Sequence, residues 1–186
     1  MRTKVTIGLF FLSVLISRTA WSDTIGLYSD PSGASCNIVA TPFAVTDVYA
    51  VHVTDGATAS MFLAQKPACW TGAAWLGDTT PYCAGVGCGD SQTGITLVYG
   101  ACRVGAIQVL TIRYFTAGTS ETCCSYPLLP HPWSQGGHAE VADCEFNPGV
   151  AFGLMATVNG GPECPCGYPV PVEETTWGQL KALYSD

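Results

Sequence analysis

Three sets of residues in this 186-residue chain have types and spacings that could support chemistry. The first is its ten cysteines: Cys36, Cys69, Cys83, Cys88, Cys102, Cys123, Cys124, Cys144, Cys164 and Cys166. A thiolate can be a nucleophile, a metal ligand or half of a disulfide. Structural zinc sites set their cysteines in two knuckles with about two to four residues between each pair. Cys83 and Cys88 stand slightly too far apart for that pattern, and Cys164-Pro165-Cys166 is too tight. No CxxC redox pair occurs. An even cysteine count in an exported chain reads as a disulfide framework. Full oxidation leaves no thiolate for nucleophilic catalysis. Neighbouring side chains on a strand point to opposite faces, so Cys123 and Cys124 are expected to take separate partners.

The second set is His131, His138 and Glu140, with Trp133 between the histidines. Imidazole and carboxylate ligands suit zinc or copper, which makes these three the candidate metal ligands. Two histidines and a carboxylate beside a hairpin also arise without a metal, and the expectation is a structural or incidental role with no cofactor. His52 sits among apolar strand residues and reads as a packed histidine. The third set is Trp70 and Trp75, which could stack a sugar ring. The competing reading, that they cover small cores between disulfides, is preferred. No GxSxG nucleophile elbow, glycine-rich phosphate loop or calcium loop is present. Glu140, Asp143 and Glu145 alternate along one segment and read as solvent-facing rather than as a glycosidase pair.

The elements that must position these residues read as strands. Residues 47–53, 94–99 and 107–115 are rich in β-branched and aromatic side chains. In the last, Leu110, Ile112 and Tyr114 share one face, and Thr111 and Arg113 share the other. Segments 124–129, 138–144 and 152–158 continue the run, with shorter ones at 25–28, 36–39, 61–64 and 73–76. Turn residues recur every 8 to 14 positions among 21 glycines and 12 prolines. This is the pattern of an all-β fold, an antiparallel β-sandwich, Ig-like or related. Residues 67–90 read as a long decorated loop. An up-and-down meander from Gly94 onward would put Cys102 in a turn and set Cys124 against Cys144. Cys102 would then find Cys164 or Cys166, and Cys36 the other, so that Cys-Pro-Cys staples the chain end to two strands.

Both ends carry their own signals. Arg2 and Lys4 precede an apolar run to Ile16, followed by small residues up to Ser22. This is a secretory signal peptide over residues 1–22, too short to span a bilayer. The domain then occupies 23–174, and no transmembrane segment follows the signal. The signal holds three of the seven basic residues, so 14 acidic side chains face four basic ones, Lys66, Arg103, Arg113 and Lys181. Scattered cations on an acidic chain exclude nucleic acid and anionic membrane surfaces as partners. At the other end, Thr175 or Thr176 can cap a helix over 175–184. Trp177, Leu180 and Tyr184 lie on one face of it, expected to dock on the domain.

The stretches "IGLYSDPSGASCN", "GATASMF", "TGITLVYGAC" and "VLTIRYFTAGTSETCCSY", with the tail Thr176–Tyr184, resemble a group of secreted β-rich proteins of environmental bacteria that end in a TWGxxKxLY-type motif. The resemblance implies export and a compact β-rich fold, and brings no activity, ligand or site residue with it. The chain departs from the group in its cysteines at 69–88 and in the doubled Cys123-Cys124. The reading is a secreted, non-catalytic interaction or structural module of the extracellular space or envelope. Its partners would be other such proteins or glycans. A carbohydrate- or small-ligand-binding domain using the loop aromatics is the alternative, and a metal-dependent enzyme the second.

Overall fold

The computed structural model describes residues 23–83, 88–118, 120–164 and 166–167. The signal peptide, the 175–184 helix and the TWGxxKxLY tail lie outside the described residues. Every regular element among the described residues is a strand: β1 Asp23–Tyr28, β2 Asn37–Ile38, β3 Ala44–Phe62, β4 Ala73–Thr79, β5 Gly89–Asp90, β6 Gly94–Thr116, β7 Cys124–Tyr126, β8 Ala139–Asp143, β9 Pro148–Leu154 and β10 Ala156–Val158.

Two long strands organise the molecule. β3 and β6 pair antiparallel from Ala44↔Thr116 to Phe62↔Ile95, with register shifts between Ala50 and Val51 and between Thr54 and Ala59. The segments read as two strands, 94–99 and 107–115, are therefore one 23-residue strand, and there is no turn at Cys102. Gly100 and Gly105 have φ of 72° and 89°, a region that residues with a Cβ resist. They bend the strand without ending it. The bend is severe. His52 is registered with Ile107 yet hydrogen-bonds Tyr99 at 2.8 Å. In a straight strand Tyr99 would lie about 26 Å from residue 107 at ~3.3 Å per residue. The β3–β6 ribbon thus folds over on itself and supplies the middle of both layers of a sandwich.

The front layer is β4, the second half of β6, the first half of β3, β1 and β9. The back layer is β5, the first half of β6, the second half of β3, β8 and β9. β9 pairs with β1 in front and β8 behind, which closes the sandwich on that side. The β1–β9 pairing is parallel, as is β10–β2, so the architecture is all-β but not purely antiparallel. The segment read as a loop over 67–90 contributes β4 and β5 to the edge of β6. Between the layers, side chains alternate inward as the pleat requires: Val48, Ala50, Leu97, Leu110, Ile112 and Tyr114 are fully buried.

A second sheet of three short strands, β2–β10–β7, covers Ile38, Ala156, Val158 and Tyr126. Strands of two or three residues supply little pairing energy, and here disulfides hold them. Cys36 stands just before β2 and Cys123 just before β7. Past the end of β10, the central strand, Cys166 bonds Cys36 and Cys164 bonds Cys123. Cys-Pro-Cys is thus a double staple to the starts of both neighbouring strands. Cys123 has φ of 58°. This turns its side chain toward Cys164, while Cys124 is buried and bonds Cys69.

The remaining pairs are Cys83–Cys88 and Cys102–Cys144. The expected Cys124–Cys144 bridge and the Cys102 bridge to the chain end are not formed. The physical reason is the continuity of β6. Cys102 lies in the middle of that strand, beside the register positions Ala57↔Arg103 and Ala57↔Asp143. It meets Cys144 across the point where β3 passes from one layer to the other. Gly56 lies beneath the bridge, and a Cβ there would come within 2.9 Å of the Cys144 sulfur.

Candidate functional site

The predicted site residues separate. His131 is buried in the loop after β7. Its Nδ1 accepts a hydrogen bond from the Trp133 backbone N–H at 3.1 Å. Its other nitrogen, which then carries the proton, bonds the Gly94 backbone. Burial pushes its pKa down, opposed by the charge of Glu140. With both nitrogens occupied it is neutral and turned away from a ligand role. His138 precedes β8 and lies against Phe152, ring centres 6.3 Å apart. Glu140 stands on the outer face of β8. The described residues contain no group of three His, Cys, Asp or Glu side chains placed to hold a metal.

The tryptophans separate as well. Trp70 is fully buried, 4.7 Å from the Tyr114 ring and 6.2 Å from that of Tyr126. Trp75 is exposed on β4, its indole N–H donating to Asp78 at 3.0 Å. One is core and the other surface, so they form no common stacking platform. Trp70 is not in a satellite core but in the main one. Polar groups beside it are ordered into a relay. Gln92 donates to the Tyr114 hydroxyl at 3.0 Å, Tyr114 to Tyr126 at 2.7 Å, and Tyr126 to the Ala64 carbonyl at 2.7 Å. Since Tyr126 spends its proton on the carbonyl, Tyr114 must be the donor between the two.

The carboxylates serve the loops. Asp30 accepts from the backbones of Ser32, Ala34 and Ser35 and from the Ser32 hydroxyl, which holds its pKa at about 2. Asp143 accepts from Glu145 and Asn147, Asp78 from Ser91, and Asp90 from Gln92 and Thr93. Asp47 forms a two-point pair with Arg113 at 2.8 and 2.9 Å. Such ties replace regular structure where the chain turns. They also leave these oxygens engaged rather than poised over a substrate.

What the back layer does present is a flat, nearly uncharged outer face. Register aligns Thr96, Met61, Glu140 and Val150 in one row across β6, β3, β8 and β9, and Val98, Ala59, Ala142 and Pro148 in the next. Val98 and Val150 are 60% and 53% exposed. Between them the small Ala59 and Ala142 leave a depression of about 150 Å³. Glu140 is the one charge in the two rows. The front layer also exposes apolar side chains, Val45 and Val53 among them, but its outer face carries the Asp47–Arg113 pair and is partly roofed by Tyr28, whose ring lies over Gly26. No single residue marks the back face in the sequence. The alternating pattern of β3, β6 and β8 contains it, but only the register brings the rows together.

No family model matches the chain, and no curated protein sequence matches it. Among solved structures it is similar to a cohesin module from a Clostridium perfringens family 33 glycoside hydrolase, at 7% identity over 75% of this chain and 98% of that one, with a TM-score of 0.48. It is also similar to a non-cellulosomal cohesin from the hyperthermophilic archaeon Archaeoglobus fulgidus, at 10% identity over 74% of this chain and 91% of that one, with a TM-score of 0.47.

Proposed function

We propose that the protein is a non-catalytic extracellular interaction module that binds a partner protein through the outer face of the back layer. The observation that carries this reading is the pair of rows Thr96–Met61–Glu140–Val150 and Val98–Ala59–Ala142–Pro148. Solvent-facing sheets ordinarily alternate apolar-in and polar-out. Here six of the eight outward positions, all but Thr96 and Glu140, are apolar or small, on a chain with a net charge of −7. Exposed apolar patches of this kind mark interaction surfaces. The occupant is a different protein, with an apolar surface and a cation to meet Glu140. A second copy would bring equal negative charge against it. Five disulfides support an oxidising, extracytoplasmic setting. The engaged histidine and carboxylates support a non-catalytic role.

The test uses three forms: the wild type, Ala142→Arg/Val150→Arg on the back face, and Val53→Arg on the front face. Each is used to capture proteins from the medium and envelope of the native culture, and the captured protein is then purified for titration. Binding retained by Val53→Arg but weakened at least about tenfold by the back-face pair supports the reading. Equal binding by all three overturns it. So does a dimer in light scattering that the pair dissociates, which would make the occupant a second copy. Capture seen only after deleting residues 168–186 also overturns it, since the chain's own end would then cover the face.

A further inference from the structure

A further cleft lies beside β6 where that strand bends, at the edge whose Val98 N–H donates to the Tyr82 carbonyl. Its cavity of about 570 Å³ is lined by Tyr82, Val98, Tyr99, Gly100 and Arg103, with Cys88 at the rim. The size falls within the range of small-ligand sites. The Tyr82 and Tyr99 rings stand 5.0 Å apart. Tyr99 is 3% exposed, and its hydroxyl is tied inward to His52 Nδ1 at 2.8 Å, which fixes its ring as a wall. Tyr82 is anchored at its backbone N–H by the Thr80 hydroxyl at 3.1 Å. Its own hydroxyl has no partner among the described residues.

Arg103 is the distinguishing group. Arg113 is paired with Asp47, and Lys66 donates to the Pro67 and Trp70 carbonyls. Among the described residues Arg103 is the one basic side chain with neither an acidic partner nor a hydrogen bond. Its guanidinium carbon stands 6.0 Å from the centre of the Tyr82 ring, in the range of a cation–π contact. A stacked guanidinium keeps its N–H fork free, and that fork matches one carboxylate at two points.

We propose that this cleft binds an acidic sugar, a carboxylate carried on a pyranose ring. The carboxylate would meet the Arg103 fork. The sugar ring would lie beside Tyr82, whose face Arg103 already covers, and the Tyr82 hydroxyl would bond a sugar hydroxyl. One cation on an acidic chain suits a ligand with one negative charge at the recognised unit, and disfavours a densely charged polyanion. The cleft shares Val98 with the back face, but Arg103 and Tyr82 lie outside the back-face rows and Ala142 and Val150 lie outside the cleft, so the two readings are tested by different variants.

The probe is digalacturonate, titrated into the whole protein and followed by amide shifts in NMR, with digalactose as the neutral arm and benzoate as the non-sugar arm. The expected result is saturable binding of digalacturonate with shifts at Val98, Gly100 and Arg103. Arg103→Gln and Tyr82→Leu should each weaken it about tenfold or more. Arg103→Lys should also weaken it, because the charge remains but the fork is lost. Melting curves that match the wild type show the variants are folded. Absence of saturation up to about 10 mM, digalactose binding as tightly as digalacturonate, or indifference to Arg103→Gln would each overturn the proposal. Benzoate binding equal to digalacturonate would also overturn it, by showing that the sugar ring is not recognised.

Discussion

At the scale of single residues, burial decides what chemically capable side chains do. Trp70 and Trp75 are five positions apart and identical in type, yet one is core and the other surface. Trp70→Ala should cost about 3–5 kcal/mol, the usual range for a buried large aromatic. Trp75→Ala should stay within about 1 kcal/mol; urea denaturation of both variants checks the contrast. His52 supplies a pH test. It is fully buried, with Nδ1 hydrogen-bonded to the Tyr99 hydroxyl at 2.8 Å and Nε2 facing Asp23 Oδ1 at 3.5 Å, an electrostatic contact rather than a full hydrogen bond. Burial pushes its pKa down, and Asp23 opposes this only in part. The folded state therefore holds His52 neutral where the unfolded chain would take up a proton. Its contribution is fully present above pH ~6.5 and declines as the pH falls from there toward its lower folded-state pKa, by at most about 1.4 kcal/mol per unit. His52→Gln should flatten that part of the profile. A slope unchanged in His52→Gln would show that another group is responsible.

At the scale of elements, the disulfides and the strands explain each other. β6 runs through Cys102, and the Cys102–Cys144 bridge then clamps it to the end of β8 over the bend of β3 at Gly56. The two cysteines are 42 positions apart. Replacing both with serine should cost about 4 kcal/mol by the loop-entropy estimate, against about 2 kcal/mol for Cys83 and Cys88, which are 5 apart. Thermal unfolding of the two double variants gives the order. A larger loss from the short loop would show that native packing, not loop closure, sets the values. Gly56→Ala tests the same crossing sterically. Its methyl would press on the Cys144 sulfur, and a loss of about 1–3 kcal/mol is expected from overpacking. A variant as stable as the wild type would mean that the bridge can shift aside.

At the scale of the whole molecule, the five bridges join parts that hydrogen bonding holds weakly. Two of them carry the β2–β10–β7 sheet, whose strands are two or three residues long. A third, Cys69–Cys124, ties that sheet to the segment holding Trp70. Thiol titration of the unfolded, unreduced protein should find no free thiol. Peptide mapping should recover Cys36–Cys166 and Cys123–Cys164 as separate pairs after cleavage between Cys164 and Cys166. A Cys124–Cys144 peptide would contradict the architecture, because Cys124 lies on the β2–β10–β7 sheet bonded to Cys69 and Cys144 is bonded to Cys102 in β6.

The sequence alone determined the β class, the core strands and the oxidised state of the cysteines. These follow from local properties: period-two alternation in IQVLTIRYF, β-branched composition, turn residues and an even cysteine count. Within 107–115 it also placed Leu110, Ile112 and Tyr114 on the buried face, since inward and outward residues alternate whatever the partner strand. Tertiary structure alone decided three things. It made 94–116 one bent strand, because Gly100 and Gly105 look the same in a turn as in a strand that takes up a sharp bend. It chose the disulfide partners, because pairing depends on which strand ends meet in space and not on spacing along the chain. And it assembled the uncharged back face and the Arg103 cleft, whose residues come from elements far apart in sequence. Their common surface exists only once the register between those strands is set.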